Sequence, residues 1–194
     1  MTRTRVTAGP VALALGAVLL IVALTGCGAS GHGRASGPFA WLKPTSVPTS
    51  WNVTRILSGA ALAYPPGWTP IKSDPGTASV ALLGNPDGND GFLNATPKQG
   101  AETLADWSRF RPRHNRGEGD RRLRVIAATA NGHFRSGRGA CVIDTYTTSK
   151  ATYREIACLV SGPRSSAVVV AAAPTALWAR RAPTLERAVS SFIA

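Results

Sequence analysis

A facing pair of carboxylates, three cysteines, three histidines and a run of arginines are the residues of this 194-residue chain whose spacing invites chemistry. Cys141 and Cys158 flank a predicted hairpin. With Ser149 and Lys150 as its two central turn residues, facing positions sum to 299, which sets Cys141 opposite Cys158. Counting outward from 148 and 151, the two cysteines form a non-hydrogen-bonded pair, where side chains approach closest. Ile143 and Ile156 share that face, which marks it as the core side. A disulfide there closes a loop of about 16 residues and is expected to stabilise the fold by roughly 3 kcal/mol. The alternative is a redox-active dithiol, and the lack of Cys-x-x-Cys spacing argues against it. The same register sets Asp144 opposite Glu155. Paired carboxylates can move protons or hold a divalent ion, and otherwise cost stability as facing like charges. Arg154 and other arginines are expected to neutralise them, and with no third ligand nearby the structural role is favoured.

Arg109, Arg111, Arg113, Arg116, Arg121, Arg122 and Arg124 fall within 16 positions, opposed only by Glu118 and Asp120. Two readings stand side by side: an anion-binding surface, or a solvated, solubilising face. His32, His114 and His133 are not at metal-ligand spacing with one another or with a cysteine. No nucleophile elbow, phosphate loop or His-Glu-x-x-His motif occurs. Gly88-Asn89-Asp90 lacks the ligand count of a calcium loop. The expectation is therefore no catalytic residue, no metal site and no cofactor.

The elements that position these residues read as α+β. Trp51–Leu57, Ala60–Tyr64, Thr77–Leu83 and Phe92–Thr96 are predicted strands. Pro65-Pro66-Gly67 stops the second of them, and Trp68 follows as a buried anchor. A helix is predicted over Ala101–Arg111, with Leu104, Trp107 and Phe110 on one face and Pro112 as its end. A meander follows: Arg121–Ala130, a type I′ turn at Asn131-Gly132, then Cys141–Thr148 and Thr152–Ser161. Ser166–Ala173 is apolar enough for a central strand buried on both faces. The C-terminal helix is expected to be interrupted or restarted at Pro183, with Leu185, Val189 and Phe192 lining one face of its last part.

The N-terminus carries a different signal. Arg3 and Arg5 precede an apolar run, Val11 to Leu24, followed by small residues, which is the layout of an export signal. The run is shorter than the roughly 20 residues a spanning helix needs. Its ending, Leu24-Thr25-Gly26-Cys27, resembles the lipobox of bacterial lipoproteins. That resemblance implies a thioether-linked diacylglycerol on Cys27, which becomes the first mature residue, and two acyl chains suffice for stable anchoring. The alternatives are an ordinary secreted protein and an uncleaved anchor helix. Residues 1–26 are thus expected to be a signal peptide, 27–50 a Gly/Ser/Pro-rich tether, and 51–194 one domain. Within the tether, Phe39 to Leu42 are expected to pack back on the domain or stay partly disordered, with contact at the membrane interface, where Trp is favoured, as the alternative. The formal charge of +12 points to polyanions, and export points away from nucleic acid and towards anionic lipid, an anionic wall polymer or an envelope protein. The abundance of Arg, Ala, Gly and Pro suggests an actinobacterium.

The motif Leu62-Ala63-Tyr64-Pro65-Pro66-Gly67-Trp68 and the ending from Val168-to-Pro174 to Val189-Ser190-Ser191-Phe192 resemble PsbP-like proteins, a type with members among the mycobacterial Lpq lipoproteins. The resemblance covers residues 51–194 and implies an antiparallel sheet sandwiched by helices. It implies a binding or assembly module, with no metal or partner-binding residue carried over. The expected function is a lipid-anchored, non-catalytic module on the outer face of the cytoplasmic membrane. The alternatives are a carrier with a hydrophobic cavity lined by Trp68, Trp107 and Phe110, and an envelope hydrolase.

Overall fold

The computed structural model describes residues 37–84 and 88–194. The expected signal peptide and Cys27 lie outside the described residues, as do residues 85–87. Among the described residues nine strands and two α-helices follow in order: β1 (Asn52–Arg55), β2 (Ala61–Tyr64), β3 (Thr69–Ile71), β4 (Ala78–Leu83), β5 (Asn89–Pro97), α1 (Trp107–Gly117), β6 (Arg121–Phe134), β7 (Gly137–Thr147), β8 (Thr152–Ser161), β9 (Ser166–Pro174) and α2 (Trp178–Ser190). Seven strands form one sheet in the order β3-β4-β5-β9-β8-β7-β6, with every pairing antiparallel. β1 and β2 make a separate ribbon.

The period of two along the central strands divides the sheet between two layers. Cys141, Ile143, Ile156, Cys158, Val169 and Ala171 face the core that holds Leu185, Val189 and Phe192 of the α2 region, together with Leu62 and Trp68. Their alternates Ala140, Val142, Ala157, Leu159, Val168 and Val170 face Trp107, Leu104 and Phe110 of the α1 region. β9 is buried on both faces along most of its length, as its unbroken Ala/Val sequence requires. Cys141 and Cys158 face one another in register and are bonded, with Cα atoms 4.1 Å apart, the close spacing of a non-hydrogen-bonded pair.

Four expectations are corrected. Residues 37–50 belong to the folded unit: Leu42 is buried, Phe39 and Trp41 pack against the core, and the Thr45 amide donates to the Ser190 carbonyl. The apolar Phe39–Leu42 interruption supplies the burial that a Gly/Ser/Pro linker lacks.

α1 begins and ends six residues later than predicted, and Pro112 lies inside it. Proline costs helix hydrogen bonding, but Trp107, Arg111 and Asn115 recur at i, i+4 and i+8 and bind the sheet on both sides of it. α2 likewise runs through Pro183, anchored beyond it by Leu185, Ala188 and Val189.

Asn131-Gly132 is not the hairpin turn. The turn is Arg135-Ser136, and Asn131-Gly132 sits at a register shift within β6. A side chain at Gly132 would press on the Gly139 carbonyl and on Leu42, while one at Gly137 would collide with the Ser161 carbonyl. The glycines answer to close packing of neighbouring chain.

Candidate functional site

The carboxylate pair lies on the α1 face of the sheet, beneath Arg111 and Asn115, while the Cys141–Cys158 bond lies in the opposite core. α1 packs over β6, β7 and β8, and Trp107, with Leu104 and Phe110, reaches Val168 and Val170 of β9. Trp107 fills the space beneath the helix, and its indole Nε1 donates to the Ala157 carbonyl at 2.9 Å. Trp68 lies in the opposite core, so Trp68, Trp107 and Phe110 do not line one cavity.

Beside the helix lies a groove of about 480 Å³. Phe92, Val168 and Val170 are among its lining residues, with Ser79, Asn94, Thr96 and Gln99 as polar groups. Asn94 Nδ2 donates to Ser79 Oγ at 2.9 Å, which fixes the amide orientation. Arg111 and His114 line it from the helix, Glu118 from the helix's C-terminal cap, and Lys72 and Asp74 from the segment after β3. A smaller recess of about 210 Å³ shares Thr96, Gln99, Arg111, His114 and Val168 and adds Trp107 and Phe110. Phe110 stacks between Trp107 and His114, with centroids 5.8 and 5.9 Å away. The groove is thus partly apolar, with a few amides and hydroxyls on its walls.

Under the helix lies the carboxylate pair. Asp144 and Glu155 are opposite in register and both fully buried. The neutralising partner is Arg111, not Arg154. Arg111 Nε and Nη2 donate to the two Glu155 oxygens at 2.7 and 2.9 Å, and Asn115 Nδ2 adds a third bond at 3.1 Å. Arg154 points to the other face, over the Trp178 ring. Neither oxygen of Asp144 has a hydrogen-bond partner. Burial, reinforced by the Glu155 charge, pushes Asp144 up to about 7 despite the counteracting Arg111. Burial and Glu155 likewise raise the Asp120 carboxyl and the Tyr146 phenol. Burial works against the Arg111 cation, but the Glu155 charge and hydrogen bonds outweigh it and leave its pKa raised. The guanidinium is thus hydrogen-bonded to Glu155, and Asp144 is left buried beside the pair without a partner of its own.

The arginine run is divided by this arrangement. Arg111 turns inward and is committed to Glu155, so it leaves the anion-binding set. Arg109, Arg113, Arg116, Arg121, Arg122 and Arg124 are exposed. Arg109 pairs with Asp106, which holds that carboxyl below its usual range, and Arg113 lies over the Phe110 ring. Among the described residues, no histidine side chain hydrogen-bonds a serine, threonine or cysteine, and no three His, Cys, Asp or Glu gather to hold a metal. Asp90 of the loop considered for calcium pairs with Arg181 at 3.1 Å. No helix among the described residues is long and apolar enough to cross a membrane.

No protein-family model and no curated protein matches the chain. Solved structures do. Cyanobacterial PsbP from Synechocystis superposes with a TM-score of 0.56 at 17% identity, over 74% of this chain and 91% of that one. The Ran-binding protein Mog1p of Saccharomyces cerevisiae gives 0.47 at 11% identity, over 72% and 87%. LpqN of Mycobacterium tuberculosis, involved in cell envelope biogenesis, gives 0.37 at 13% identity, over 76% and 79%. The first of these establishes the fold: this is a PsbP-like α+β sandwich.

Proposed function

We propose that this chain is a lipid-anchored, non-catalytic binding module of a bacterial, actinobacterial cell envelope, held on the outer face of the cytoplasmic membrane by diacylglycerol on Cys27. The observation that carries the reading is Leu24-Thr25-Gly26-Cys27, ten residues ahead of Gly37, where the described fold begins. Residues 1–26 are then a signal peptide and the tether is 27–36, shorter than the 27–50 expected from composition. The groove beside α1 supports the binding role, because it offers amides and hydroxyls around an apolar floor of Phe92, Val168 and Val170. A carrier with a closed cavity is the weaker reading, since Trp107 occupies the space between α1 and the sheet.

The test has two arms. Cys27→Ala is expected to abolish diacylglycerol modification and release of the leader; unchanged processing dismisses the anchor. A photo-crosslinking residue at Gln99, on the groove rim, is expected to capture one recurrent envelope component in intact cells. Capture equal to that of the same residue placed at Leu57, on an unrelated exposed turn, dismisses the groove.

A further inference from the structure

The edge strand β6 has a composition that neither the groove nor the core uses. Five of its first six residues, Arg121, Arg122, Arg124, Val125 and Ile126, are exposed. A regular strand alternates its side chains between two faces. Here the pairing with β7 shifts register between Arg121 and Arg124 and again between Val125 and Ala127, and bulges of this kind re-aim side chains. Arg122 holds a left-handed backbone at φ 51°, a conformation that costs a non-glycine residue and concentrates at functional positions. Among the described residues none of the three arginines is in an ion pair. Val125 and Ile126 are 45% and 43% exposed, two of the few large apolar side chains so open to solvent.

We infer that this edge of β6 is a docking surface for the anionic lipid leaflet, with the arginines on phosphate headgroups and Val125 and Ile126 entering the interface. Charge complementarity selects an anionic partner. The apolar pair selects lipid over a wall polymer, because a purely polyanionic chain offers it nothing. The repeated register shifts break the regular ladder that strand addition by a second copy would use. The inference rests on the anchor reading for its strength: the ten residues from Cys27 to Gly37 reach at most about 36 Å even when extended. The domain is thereby confined near the leaflet, where weak surface attraction acts at high effective concentration.

The acylated full chain, reconstituted in vesicles, is the material for the test, and amide hydrogen exchange of the 121–126 segment is the readout. Exchange is expected to slow severalfold on phosphatidylcholine vesicles containing phosphatidylglycerol relative to phosphatidylcholine alone, and to recover with added salt. R122Q/R124Q and V125S/I126S should each remove most of that difference; both pairs are exposed, so the fold is kept. Equal exchange on the two vesicle types overturns the inference. So does a difference that V125S/I126S leaves intact while soluble inorganic polyphosphate abolishes it, which assigns a polyanion site. Protection on neutral vesicles that rises with protein density assigns a second copy and also overturns it. Flotation with neutral vesicles reads the acyl anchor separately, so a failed anchor and a failed docking surface give different results.

Discussion

Replacing Asp144 by Asn isolates the least compensated group in the structure. Asp144 is buried, unpartnered and faces Glu155, whose charge Arg111 already neutralises. Its folded pKa of about 7 lies well above the ordinary 3.8. Between those values the folded state binds the proton more tightly than the unfolded chain, so this group's contribution to stability is fully present below about pH 4. It is lost as pH rises towards 7, and no further loss follows above that. At 1.36 kcal/mol per unit, the two units from pH 5 to 7 correspond to about 3 kcal/mol. Asn is nearly isosteric with the neutral acid and cannot ionise. Urea unfolding at several pH values should therefore show the wild-type stability, relative to D144N, falling by about 3 kcal/mol between pH 5 and 8. The variant becomes the more stable protein at pH 8. Contributions from Asp120 and Glu186, also raised by burial, cancel to first order in the difference. Parallel pH profiles for the two proteins would refute the reasoning, since Asp144 would then be ionised at no cost.

Arg111→Met leaves the buried Glu155 with Asn115 alone and should destabilise by about 3–5 kcal/mol in urea unfolding, as an uncompensated buried charge does; adding Glu155→Gln should recover much of that loss. Removing both cysteines of the Cys141–Cys158 bond, by alanine, should cost about 3 kcal/mol for a loop of this length, read as a lower denaturation midpoint that reductant no longer shifts. Trp107→Phe removes the second hydrogen bond to the Ala157 carbonyl, which keeps its ladder bond to Val142, and should cost about 0.5–1.5 kcal/mol, with exchange protection in β8 falling as the check.

What could be read in the sequence follows from the range of the interactions that decide each feature. The Cys141–Cys158 register was legible because a two-residue turn at Ser149-Lys150 and a strict period of two fix it locally. The double burial of β9 was legible from its unbroken apolar run. The limits of α1 were not, because what carries the helix through Pro112 is Glu155, 44 residues away along the chain. The stripe Trp107, Arg111, Asn115 was the available signal: a buried tryptophan with an arginine and an asparagine on its own face implies a buried anion opposite. Counting Arg111 with its neighbours as one basic run hid that signal. Asn131-Gly132 misled for a related reason, since a dipeptide suited to tight turns serves equally where Leu42 and Gly139 crowd the backbone. The groove was invisible to motif reading, because it is made where α1 stops covering the sheet.

The central claim, an exported module fixed to the membrane through Cys27, is tested most directly by mass spectrometry of the N-terminal peptide of the protein taken from its native membrane. The account predicts a chain beginning at Cys27 whose sulfur carries a diacylglyceryl group. An intact leader ahead of an unmodified Cys27, or a mature N-terminus beyond it, would contradict the account.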